Sequence, residues 1–114
     1  MSFKYFYLSG LIAISCMACN SGKQQVEPPC ITERIILFEE TEVCSSGASV
    51  REYKFDGDYV YVFDIGECSA DIGQTVVNYN CDTIGYLGGY TENTTINGKV
   101  FYKKARLKRT LFSN

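Results

Sequence analysis

The sequence predicts an α+β domain: one N-terminal helix packed on an antiparallel β-meander of four to six strands and stapled by disulfides. Three observations predict it. Residues 31–40 space apolar side chains at helical intervals. Asp56-Gly57 and Asn97-Gly98 each separate two runs of β-favouring residues, the strongest short-range hairpin signal a sequence carries. Four cysteines, Cys30, Cys44, Cys68 and Cys81, fall inside the same stretch. Composition agrees: 46% hydrophobic residues allow a core, and nine tyrosines without a tryptophan favour a pleated, half-buried surface. With 114 residues, one domain is the limit.

Residues 1–18 have the build of a secretory signal, with Lys4 followed by an apolar run too short for a comfortable membrane span of about 20 residues. Ala13-Ile14-Ser15-Cys16 and Cys16-Met17-Ala18-Cys19 both resemble a lipobox, in which a cysteine after small residues is acylated and becomes the new N-terminus. Parity selects Cys19, with Cys16 as the alternative. Acylation at Cys19 leaves four cysteines to pair, whereas acylation at Cys16 leaves five. Residues 19–29 then form a polar tether ending in Pro28-Pro29, flexible at first and stiff before the domain, which occupies residues 30–114.

Within the domain, Ile31, Ile35 and Phe38 define the helix's apolar stripe, Ile36 and Leu37 widen it, and Thr32 is positioned to cap it. The hairpin 49–64 follows. Its two-residue turn fixes the register: Phe55 faces Asp58, Tyr53 faces Val60, Glu52 faces Tyr61 and Val50 faces Phe63. Its second strand is apolar on both faces and belongs at the centre of a sheet. Residues 65–73 read as an exposed loop and 74–80 as a third strand. Residues 84–90, with three glycines, read as a short irregular strand or bend. A second hairpin, 94–96 with 99–102, turns at Asn97-Gly98, and the basic residues 103–109 read as a last edge strand whose lysines block aggregation, against the alternative of contact with anionic lipid headgroups or a polyanion.

Four cysteines allow three pairings. Cys30 and Cys44 bracket a helix about 15 Å long, too far for their Cα atoms to meet within about 7 Å. The pairing 30–81 with 44–68 is preferred, because it staples both ends of the helix to the sheet. A zinc site is disfavoured: no C-x-x-C lies among these four, and exported thiols pair.

Histidine is absent, which excludes a Ser-His-Asp triad, a Cys-His pair and any His-ligated metal. No catalytic residue, cofactor or metal is expected, and the chain is not read as an enzyme. Asp64, Glu67 and Asp71 offer carboxylates to a cation but lack EF-hand spacing, so they read as a solvated loop. Tyr59, Tyr61 and Phe63 share one face of the hairpin. They are the candidate recognition surface for a protein or glycan, against the alternative that they are core. The net charge of -2 gives no reason to expect nucleic acid. The charge is unevenly placed, with six of the eleven basic residues between Lys99 and Arg109. Asp82-Thr83-Ile84 and Asn93-Thr94-Thr95 match short glycosylation patterns that also arise by chance.

Cys30, then Ala48-Ser49-Val50-Arg51-Glu52-Tyr53, Gly57-Asp58-Tyr59-Val60-Tyr61-Val62-Phe63, Cys68, Cys81 and Gly88-Gly89 resemble the pattern of a family of small uncharacterised bacterial lipoproteins carrying a domain of unknown function. The chain departs from that pattern by lacking a doubled cysteine near Cys68 and by adding Cys44. The resemblance carries no activity with it. The expectation is an envelope lipoprotein, held in a membrane by its N-terminal lipid and facing the periplasm or the cell surface. It would act as a non-catalytic binding or structural module. The alternative is a small inhibitor of an extracytoplasmic hydrolase, offering the 85–90 loop or a hairpin tip.

Overall fold

A computed structural model describes residues 26–68 and 71–114. The expected signal segment, residues 1–18, and both candidate acylation sites, Cys16 and Cys19, lie outside the described residues. A helix, α1 (Pro29–Thr41), precedes a five-stranded antiparallel sheet. Its strands are β1 (Ser49–Phe55), β2 (Asp58–Asp64), β3 (Gln74–Asn78), β4 (Thr83–Leu87) and β7 (Arg106–Ser113), in the order β4-β3-β2-β1-β7. Between β4 and β7 lie a two-stranded hairpin, β5 (Thr95–Ile96) with β6 (Lys99–Val100), and one helical turn, α2 (Phe101–Lys104). The first four strands form a meander. The last departs from it, running back across the molecule to pair with β1.

The first hairpin has the register its turn dictates, from Phe55 opposite Asp58 to Val50 opposite Phe63. Asp56 and Gly57 both take positive φ, 53° and 85°, as a type I′ turn demands. Because β2 is the middle strand, both its faces are covered, and two cores result. On one face Tyr53, Phe55, Val60 and Val62 pack with Leu87, Ile96 and Phe101. On the other, Val50, Tyr61, Phe63 and Val77 pack with Ile31, Ile35 and Phe38 of α1.

Three local expectations are corrected. First, α1 starts earlier than the apolar spacing implies. Pro28 takes the N-cap position with extended backbone and Pro29 opens the helix, where a missing N–H costs nothing. Thr32 is therefore inside the first turn, and its hydroxyl meets Glu27 Oε2 at 3.4 Å. Second, Ile36 and Leu37 are 50% and 59% exposed. At about 100° per residue they lie well over 100° around the helix from the 31/35/38 stripe, too far to touch the sheet. Third, the second hairpin is shorter than predicted. Its Asn97-Gly98 turn forms with φ of 53° and 79°, but Phe101 leaves the ladder and begins α2. Burial decides this. The Phe101 ring sits 5.3 Å from Tyr53 and 4.8 Å from Phe55, filling the face opposite α1, and Ala105 N–H closes the turn onto Phe101 O at 2.8 Å.

Two disulfides close the body, Cys30–Cys81 and Cys44–Cys68, with Cα separations of 6.3 and 5.6 Å. One joins the first turn of α1 to the β3–β4 turn. The other joins the segment after α1 to the loop after β2.

Candidate functional site

The aromatic triplet of β2 is not a surface. Tyr61 and Phe63 are 0% and 4% exposed, and Tyr59 is only partly open, with Lys54 Nζ 4.5 Å above its ring. Helix α1 covers them: Phe38 meets Phe63 edge-on at 5.2 Å. The alternation that puts these rings on one face is the same alternation that calls for a helix to cover them.

Beneath that helix lies a polar network not anticipated from the sequence. Glu52 is fully buried on β1. Its Oε2 accepts from the Tyr61 hydroxyl at 2.9 Å, and Arg109 of β7 donates to both its oxygens, through Nε at 2.9 Å and Nη2 at 3.2 Å. Arg109 Nη2 reaches on to Glu27 Oε1 at 3.0 Å. Burial, and then the neighbouring carboxylate, push the Tyr61 phenol above its ordinary range. The hydrogen bonds that Arg109 donates to Glu52 likewise raise the Arg109 pKa. Every carboxylate oxygen of Glu52 is thus engaged, so the cluster holds β7 and the entering chain to β1. A hint was present: the hairpin register puts Glu52 directly opposite Tyr61 of the central strand.

In the acidic loop Glu67 and Asp71 are exposed, whereas Asp64 is committed internally. Asp64 accepts from Gly66 N–H at 2.9 Å and from Gln74 Nε2 at 3.1 Å. Gln74 Oε1 in turn accepts from the Tyr102 hydroxyl at 2.8 Å. Among the described residues no group of three Asp, Glu or Cys side chains is arranged as a metal site.

Two features remain open to a partner. A groove of about 480 Å³ runs between α1 and β3, with Phe38 and Phe63 in its floor, Leu37 and Ile72 at its rim, and Arg34 5.4 Å above the Phe63 ring. At the far end of the sheet, the loop after β4 holds Tyr90 84% exposed. That loop is braced. Gly88 N–H donates to Asn93 O at 2.7 Å and Tyr90 N–H to Asp71 O at 3.1 Å, while Gly88 and Gly89 supply φ of 70° and 72°. A Cβ on Gly89 would lie 2.8 Å from Gly73 N, so the close approach needs glycine. Asp82 and Thr83 are exposed at the start of β4, and Asn93 spends its amide on Tyr86 O and Thr95 O, both at 2.7 Å.

Among the described residues no helix is long and apolar enough to cross a membrane. Comparison with curated proteins and with solved structures finds no match. One family model does match, over residues 37–114, from within α1 to the end of β7. The chain belongs to the family defined by that domain of unknown function, DUF6970.

Proposed function

We propose that the protein is a lipid-anchored module of the bacterial cell envelope that works by contact, without turnover. The observation that carries this reading is the division of labour among its cysteines. Four pair within the body, as suits an oxidising compartment, and Cys19 remains in a lipobox-like setting upstream. The Glu52 carboxylate is spent on the fold, with no exposure to solvent and hydrogen bonds from Tyr61 and Arg109, which suits a contact role better than proton transfer to a substrate. The α1–β3 groove, apolar in its floor and charged at its rim, supplies a surface for a protein or glycan partner.

Intact mass of the protein isolated from membranes, before and after reduction, tests this. A diacyl or triacyl addition on Cys19 and a gain of about four hydrogens on reduction are expected. An unacylated chain with free thiols in the cytosol overturns it.

The inhibitor reading is favoured by one feature, the rigid presentation of Tyr90. Pull-down from solubilised envelope separates the two. Capture of a hydrolase that is lost in Tyr90→Ala supports the inhibitor, whereas capture that survives it and is lost in Leu37→Asp supports the groove.

A further inference from the structure

The chain enters its folded body beside the most cationic edge of the sheet. Glu27 is bonded to Arg109 at 3.0 Å, so the segment arriving from the N-terminus is fastened at β7, the outermost strand on that side. Only eight residue steps separate Cys19 from Glu27, a reach of about 28 Å when fully extended. The same edge, with the turn that leads into it, carries Lys103, Lys104, Arg106 and Lys108. Among the described residues, none of these four is in an ion pair. Residues 1–25, 69 and 70 contain no Asp or Glu that could neutralise them. Among the cations Leu107 is 55% exposed, opposite Tyr53 on β1, whereas Tyr102 turns inward across the sheet to donate to Gln74 of β3.

Lysines on an edge strand have a sufficient structural reason, since they keep a second strand from adding there. That reason requires neither a half-exposed leucine between them nor an anchor point at the same strand. Cations around amphipathic and apolar side chains are what a bilayer interface attracts. We propose that the Lys103–Lys108 edge rests on anionic phospholipid headgroups of the membrane that holds the lipid anchor, turning the body so that the α1–β3 groove and the Tyr90 loop face away from that edge and into solution. This rests on the anchored reading above. The Glu27–Arg109 pair keeps this edge within the tether's reach of the bilayer, and the attraction takes hold once the edge comes within a Debye length of about 10 Å.

The test uses the mature acylated protein reconstituted in vesicles of phosphatidylcholine, alone or with phosphatidylglycerol, with lysine accessibility read by a water-soluble amine reagent and mass spectrometry. In the anionic vesicles Lys103, Lys104 and Lys108 should lose about fivefold in reactivity, the factor that corresponds to one lysine's attraction to such a surface. About 1 M salt should restore it. Protein that floats with both vesicles but shows the same lysine reactivity in each overturns the proposal and leaves the anchor intact. Equal protection in neutral vesicles also overturns it, since something other than anionic lipid, a second copy of this chain included, would then cover the edge. Protein that floats with neither overturns the anchor and the orientation together.

Discussion

Glu52 and Arg109 are 57 residues apart, and their pairing shows how much one buried charge organises. Replacing Arg109 by Ala leaves a carboxylate at 0% exposure with only the Tyr61 hydroxyl. Loss of a fully buried partner typically costs about 3–5 kcal/mol, and because the Arg109 side chain is 35% exposed, water can replace part of it, so a loss of about 2–3 kcal/mol is expected in urea unfolding. Tyr61→Phe removes one hydrogen bond to a charged group and should cost about 1.5–3 kcal/mol. It also changes the pH profile. The Tyr61 pKa is raised in the folded protein above its ordinary value of 10.0. Its contribution is therefore complete below about pH 10 and is lost as pH rises above that, because the unfolded chain releases the proton first. Alkaline unfolding followed by tyrosinate absorbance should show wild type losing stability over that range more steeply than Tyr61→Phe. The sequence places Glu52 opposite Tyr61 through the hairpin register, but its cation comes from a strand whose return to β1 no local pattern announces.

The elements themselves were largely legible. The first hairpin, its register and its central strand follow from Asp56-Gly57 and strict alternation, and α1 follows from Ile31, Ile35 and Phe38. Where two local signals competed, tertiary burial chose. Residues 99–102 have strand composition, yet Phe101 is worth more as the plug of the second core than as a rung of a two-residue ladder. Gly85 offers a test of that core. A Cβ there would lie 2.5 Å from Ile96 Cδ1, so Gly85→Ala should cost about 1–3 kcal/mol by overpacking. Ile96→Val removes that methyl and alone costs about 0.5–1.5 kcal/mol. In the double variant the two costs should fall well short of additive when thermal unfolding is compared across the cycle.

At the scale of the whole molecule the disulfides set the stability. On chain-entropy grounds, Cys30–Cys81, spanning 51 residues, constrains the unfolded chain by about 4 kcal/mol, against about 3.4 kcal/mol for Cys44–Cys68, spanning 24. Paired Cys→Ala replacement should therefore cost more at 30/81 than at 44/68, measured as a shift of the denaturant midpoint. By itself, the amino-acid order determined the class, α+β, the two type I′ turns, the hairpin register and the apolar stripe of the helix. Each of these depends on residues within a few positions of one another, where backbone geometry leaves few choices. Only the tertiary structure decided that the Tyr61 and Phe63 rings are core, that Phe101 ends a strand, and that Arg109 ties Glu27 to Glu52. Those outcomes depend on which surfaces meet across about twenty-five to eighty residues of chain. There burial free energy, summed over the whole body, outweighs any local preference.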